Sequence, residues 1–274
     1  MKKNLLAILA AVTVLGLAGC QGSTQTDAGA FEYEELDDET IKITGLKDGS
    51  LKAIVIPEKI DGKKVTEIGI GAISGCSSLT RVGIPEGVTE IGEGAFAGCS
   101  SLSEIAVDKK NPTYTSVDGV LFDKEIKTIL AVPGKKQTYR IPEGVTEIGI
   151  GAFAGCSSLT RVEIPESVTE IGYGAFLKCS SLTSVVIPEG VTEIDAAFSG
   201  CSSLTRVEIP GSVTEIKGYA FEGCSSLTRV EIPGSVTLIW TSAFAGCSSL
   251  NTIIAPAGSY AESWAKENGY NVQH

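Results

Sequence analysis

The sequence holds a single histidine, and it is the last residue, His274. A folded body without histidine has no Ser-His-Asp or Cys-His pair with which to activate a nucleophile. Neither a phosphate-binding loop nor a dinucleotide fingerprint is present, because the glycines follow another spacing. No C-x-x-C or Cys/His cluster offers a zinc site. Basic residues are scarce: 22 Lys and Arg stand against 33 Asp and Glu, a formal charge of −11. Loss of Lys2 and Lys3 with an N-terminal signal would leave 20 against 33, or −13. That sign argues against nucleic acid as a partner. The apolar run from Leu5 to Ala18 is 14 residues, short of the ~20 that cross a bilayer.

What the chain has in abundance is one phrase. The string GCSSLTRVEIP, or a near copy, recurs with Cys76, Cys99, Cys156, Cys179, Cys201, Cys224 and Cys247 as markers. Successive markers are 23, 57, 23, 22, 23 and 23 residues apart, and 57 is 23 plus 34. A fixed period of this size means stacked repeats rather than one globular core. Each unit opens on L-x-x-V-x-I, as in Leu159, Val162 and Ile164. Its alternation predicts a strand with one buried face. Proline follows at Pro57, Pro85, Pro142, Pro165, Pro188, Pro210 and Pro233. Lacking an N–H, it ends that strand on the same layer of each coil.

The next segment, V-T-E-I-G, predicts a second short strand. The glycines of G-x-G-A-F-x-G-C predict a tight corner, with Phe filling the core. No unit can bury its apolar face alone. Stacking about nine of them at ~4.8 Å each closes a continuous core roughly 43 Å long. The expected fold is a repeat solenoid with parallel β-strands over residues 51–256, counting the degenerate copy Tyr139-Arg140-Ile141-Pro142.

The flanks read differently. Met1-Lys2-Lys3, the apolar run and Leu17-Ala18-Gly19-Cys20 resemble a bacterial lipobox. Residues 1–20 are therefore expected to be a lipoprotein signal peptide with Cys20 as the lipidated residue. The polar stretch 21–30 reads as a flexible tether. Residues 31–50 read as an N-terminal β cap, two strands around Asp37-Asp38. Residues 257–274 read as a C-terminal capping helix and tail. Ser259 and Glu262 form its capping box, Gly269 its stop, and Ala261, Trp264 and Ala265 its apolar face. Residues 103–140 break the period. Asp118-Gly119 between apolar runs predicts a β-hairpin over 111–123 that projects from, or widens, one coil. Asp108, Asp118, Asp123 and Glu125 lack calcium-loop spacing and read as turn residues.

Seven cysteines at one repeat position are an odd number, and stacked equivalents project in parallel, which suits disulfide geometry poorly. Cys76, Cys99, Cys156, Cys179, Cys201, Cys224 and Cys247 are expected to form a ladder of buried, reduced thiols. The charges are ordered too. Arg81, Arg161, Arg206 and Arg229 hold one outward strand position, and Glu163, Glu208 and Glu231 another. A single exposed pair of this kind adds at most ~1 kcal/mol. The repeated polar face, however, suits an extended or multivalent partner, and it is the candidate binding surface. A further row, Glu67, Glu90, Glu147, Glu170, Glu193 and Glu215, runs beside threonines on the second strand.

The repeated I-P-x-x-V-T-E-I-G-x-x-A-F-x-x-C-x-x-L, the N-P-x-Y-x-S-x-D-G-V-L-F hairpin and the terminal A-G-S-Y-A-E-x-x-A-K-E-N-G together resemble the BspA-like leucine-rich-repeat proteins of bacteria. The match covers residues 31–274. It implies a leucine-rich-repeat solenoid on a cell surface, and some members are adhesins for host matrix or plasma proteins or for other bacteria. The chain departs from the pattern at Ile73 in place of Phe and at Lys178 in place of Gly. It also departs in the short segment Glu193–Cys201 and at Trp240-Thr241-Ser242 in place of a glycine corner. The function expected is a surface-anchored protein-binding module, an adhesin or interaction protein. The alternatives are a non-catalytic envelope spacer and an auxiliary lipoprotein of an envelope complex. No catalytic residue, metal or cofactor is expected. The chain is read as a monomer whose partner is a protein and whose only membrane contact is the lipid.

Overall fold

The computed structural model describes residues 25–274. The expected signal peptide 1–20 with Cys20, and residues 21–24, lie outside them. The described chain winds as a solenoid with two ladders of parallel strands. The longer-strand ladder runs through Ala53–Val55, Arg81–Ile84 and Glu104–Val107, then Thr138–Arg140, Arg161–Glu163, Ser184–Val186 and Arg206–Glu208, then Arg229–Glu231, Thr252–Ile254 and Asn271–Gln273. The second ladder is built of short pairs such as Glu147–Ile148, Glu170–Ile171, Glu193–Ile194 and Glu215–Ile216. The regular long strands bury only their middle residue, as at Val162, Val185, Val207 and Val230, and expose its neighbours. This is the burial the L-x-x-V-x-I spacing requires.

The core is layered. Phe153, Phe176, Phe198, Phe221 and Phe244 stack one per coil, with successive ring centroids 4.6, 5.3, 5.5 and 5.3 Å apart. Trp264 closes the column 5.8 Å from Phe244, and Tyr270 stacks on Trp264 at 5.6 Å. A periodic sequence thus becomes a column of offset rings, a favourable aromatic arrangement. Trp264 lies on the helix Tyr260–Glu267, whose N-cap Ser259 accepts the amide of Glu262 at 3.2 Å. The residues after that helix, expected as a tail, add a last parallel strand, Asn271–Gln273, against Thr252–Ile254.

At the other end, Phe31–Glu35 and Ile41–Leu46 pair antiparallel, and Ile41–Leu46 joins Lys63–Ile68 in parallel. Phe31 is fully buried over the first coil. Of the stretch 21–30 expected as a tether, residues 26–30 are docked on the fold. The Thr26 amide donates to the Val55 carbonyl at 3.2 Å, the Val55 amide donates to Thr26 Oγ1 at 2.9 Å, and Ala28–Ala30 form a 3-10 turn. The unsatisfied edge of the first long strand recruits this segment. A small hairpin, Lys59–Ile60 with Lys63–Ile68, turns at Asp61 and Gly62, both with positive φ. It decorates the first coil and was not anticipated.

The irregular coil widens the stack rather than projecting from it. Tyr114–Val117 and Val120–Asp123 pair antiparallel around Asp118 and Gly119. Val120–Asp123 then pairs with Thr128–Ala131, whose far edge takes Glu147–Ile148 in parallel. Alternate residues of this inner strand face opposite ways: Leu121 packs in an N-terminal core cluster, Val120 and Phe122 in a C-terminal one. The hairpin is therefore a partition inside the core. The inserted coil has no Cys corner of its own. There the flanking coils close directly, the Gly98 amide donating to the Ala154 carbonyl at 2.8 Å. A Cβ at Gly155 would lie 2.5 Å from Gly98 Cα, so only glycine fits that contact. Asp108 and Asp123 serve as turn residues, their carboxylates accepting amides of Lys110, Lys127 and Thr128.

Candidate protein-interaction face

The long-strand ladder carries the charge rows, and the structure separates them by coil. Arg81 lies in the N-terminal piece, and its Nε bonds Glu104 of the next coil at 3.1 Å. Arg161 and Glu163 pair within their own strand at 3.0 Å, and Glu163 is also approached by Arg140 at 3.9 Å. Arg140 escaped the sequence reading because its coil is the degenerate copy. The next strand places Ser184 in register with both Arg161 and Arg206, and Val186, 54% exposed, in register with Glu208. The Arg/Glu lattice is thus interrupted by one neutral coil.

Beyond that coil, Arg206 and Glu208 pair at 2.9 Å, and Arg229 and Glu231 follow on the adjacent strand. These four residues are the ones brought together. Between their two strands the ladder is broken: Arg206–Glu208 ends one sheet and Arg229–Glu231 begins another. The second-strand ladder breaks two coils earlier, between Glu170–Ile171 and Glu193–Ile194. That earlier break falls at the coil that is one residue short. Across the short segment itself both ladders hold register, Ser184 with Arg206 and Glu193 with Glu215. At the later break lies a half-open cavity of about 580 Å³, lined by Thr205, Arg206, Val207, Glu208, Ile209, Arg229, Glu231 and Ile254. It offers two guanidinium groups, two carboxylates and strand backbone without ladder partners. Such a surface can hydrogen-bond an extended polypeptide and discriminate its charge.

The thiol rows lie at the corners, away from this face. All seven described cysteines are free. Each one from Cys99 onward is buried and donates to a carbonyl in the preceding coil, for instance Cys179 to Phe153 at 3.2 Å and Cys224 to Phe198 at 3.3 Å. Burial pushes Cys99, Cys156 and Cys201 up to about 12 and lifts Cys179 well above the ordinary thiol value, so all four stay protonated. Cys76, half-buried on the first corner, is raised less. Among the described residues no group of three or more His, Cys, Asp or Glu is placed to hold a metal ion.

A stack of coils, a layered aromatic core and outward-facing charge rows define a leucine-rich-repeat solenoid. The chain belongs to the BspA type leucine rich repeat family, whose model matches six copies over residues 39–130 and 135–251. Among solved structures it is similar to a leucine rich cell surface protein of Faecalibacterium prausnitzii. Identity is 23% and the TM-score 0.61, with 92% of this chain and 98% of that one covered. It is also similar to a leucine-rich repeat protein of Eubacterium ventriosum, at 18% identity and a TM-score of 0.52, covering 88% and 97%. A leucine rich repeat protein of T. pallidum shares 29% identity over 91% of this chain and 98% of that one, with a TM-score of 0.42. Comparison with curated proteins gives no match.

Proposed function

We propose that the chain is a protein-binding module displayed on a bacterial surface, anchored through lipid on Cys20 and acting as an adhesin or interaction protein. The carrying observation is the broken ladder at Arg206–Glu208 and Arg229–Glu231, where charge and unpaired strand backbone share one cavity. Membership of the BspA type family supports the reading, and so does the lipobox-like Leu17-Ala18-Gly19-Cys20. The F. prausnitzii relative is itself described as a cell surface protein. The partner is a protein of a host matrix, of plasma or of another bacterial surface, bound along the long-strand face.

The test is saturable binding of the immobilised full chain to matrix and plasma proteins and to bacterial envelope protein. It should be repeated with Arg206→Glu/Arg229→Glu and with one coil, residues 201–223, deleted. Loss of binding in both variants supports the face. Binding that survives both places the partner elsewhere, and absence of any saturable partner leaves the spacer reading.

A further inference from the structure

A second surface runs along the corner that follows each short strand, and nothing in the Arg/Glu face accounts for it. Three large aromatic side chains stand out from this corner: Tyr173, 55% exposed, and, beyond the intervening coil of Glu193–Ile194, Tyr219, 49%, and Trp240, 53%, on adjacent coils. Each follows a strand of the second ladder, Glu170–Ile171, Glu215–Ile216 and Leu238–Ile239. The corners are bonded coil to coil, the Ala196 amide donating to the Gly218 carbonyl at 3.2 Å. Trp240 lies over Gly218, where an added Cβ would sit 3.4 Å from its ring. The repeat has no use for these rings in its core, which the phenylalanine column already fills.

Tyr219 carries an independent mark. Its φ is +60, at the position directly before the buried alanine. Four other coils fill that position with Gly71, Gly94, Gly151 and Gly174, at φ between 59 and 63. Ala196 holds the same position at φ +48; a side chain with a Cβ is strained there, and Tyr219 places a large one in it. Here the strained residue is an exposed aromatic.

The surroundings are acidic. Across 165–177, 188–198, 210–221 and 233–244 the carboxylates are Glu166, Glu170, Glu189, Glu193, Asp195 and Glu215, against one amine, Lys217. That amine is taken, bonded to Glu193 Oε2 at 2.6 Å. The bond to Glu193, with the charges of Glu193, Asp195 and Glu215, holds Lys217 above the usual lysine value. Glu170, Asp195 and Glu215 enter no ion pair among the described residues.

Exposed aromatic faces flanked by uncompensated carboxylates recognise cations, the ring through its quadrupole and the acids through charge. We propose that this edge is a second interaction surface, taking an extended polypeptide that carries lysine or arginine at alternate positions. Its cationic heads lie over Tyr173, Tyr219 and Trp240 and pair with Asp195 and Glu215. The surface is separate from the Arg/Glu face, so its failure would leave the reading of that face standing.

The probe is a fluorescent peptide of alternating lysine and serine, titrated into the full chain in detergent. A glutamate–serine peptide and a neutral β-linked glucose oligosaccharide serve as competing arms. The lysine peptide should bind saturably and weaken with salt. Tyr173→Ala/Tyr219→Gly/Trp240→Ala, which keeps every carboxylate, should bind at least about tenfold more weakly, as loss of three exposed cation–π contacts requires. Tyr219→Gly alone should weaken binding while its melting temperature stays level or rises. Equal binding by the triple variant would reduce the effect to general ionic attraction and overturn the proposal. Absence of saturable binding, or preference for the oligosaccharide, would overturn it equally.

Discussion

The thiol of Cys201 donates to the carbonyl of Phe176, one coil earlier, at 3.2 Å. The two most regular features of the repeat, the cysteine and the phenylalanine, are thus one device seen from neighbouring coils. The same bond joins Cys224 to Phe198 and Cys247 to Phe221. Cys201→Ser keeps a small donor and should cost less than Cys201→Ala, which removes both the bond and packed volume. The alanine variant should lose about 1–2 kcal/mol. Denaturant titration of the two variants checks the order.

The buried thiols should also announce themselves by pH and by reactivity. In the folded protein, near neutral pH, Cys76 should react with a thiol reagent and the six later coil cysteines should not; all seven should react once unfolded. The ordinary thiol value is 9.0, and burial lifts Cys99, Cys156 and Cys201 to about 12. Their contribution is therefore complete below pH 9 and is lost as pH rises toward 12. Burial raises Tyr139 to about 12 as well, adding loss of the same sign above pH 10. Melting temperatures should hold up to about pH 9 and fall from there to pH 11, and a flat profile above pH 9 would contradict this account.

Phe198 sits mid-column, between Phe176 at 5.3 Å and Phe221 at 5.5 Å. Phe198→Ala should cost about 3–5 kcal/mol. Because each coil contacts only its neighbours, the damage should be local. Hydrogen exchange should show amides of coils 176–221 opening while the N-terminal cap keeps its protection.

Lys178 holds a left-handed backbone, φ +57, at the position other coils give to glycine, as at Gly155 and Gly200. Its side chain is exposed. Lys178→Gly should stabilise by about 0.5–1 kcal/mol, the released strain exceeding the entropy glycine adds to the unfolded chain. Thermal unfolding gives the sign directly.

Asn111 is fully buried and satisfies four backbone groups. Its Nδ2 donates to the carbonyls of Pro85 and Val88, and its Oδ1 accepts the amides of Thr113 and Tyr114. Asn111→Ala leaves all four without that partner and should cost about 2–4 kcal/mol. Asn111→Asp should be no better, since a carboxylate would face two carbonyls. Both variants should loosen the hairpin 111–123 first, visible as early proteolysis there.

By itself the sequence determined the period, the strand with its single buried residue, the proline stop, the capping helix and the core face of Trp264. Each rests on spacing of a few residues along one coil, which local geometry converts directly into burial. The charge rows were legible for the same reason. Tertiary structure alone decided which coils meet and how closely. It turned the 34 extra residues of the 57-residue interval into an internal partition, because the Cys corners of the flanking coils could close on glycines. It opened the strands between Arg206 and Arg229, where the long-strand ladder passes from one sheet to the next. It also turned three scattered departures from the repeat, Tyr173, Tyr219 and Trp240, into one exposed edge. Such an edge exists only when successive coils are stacked, so no single coil's sequence could display it.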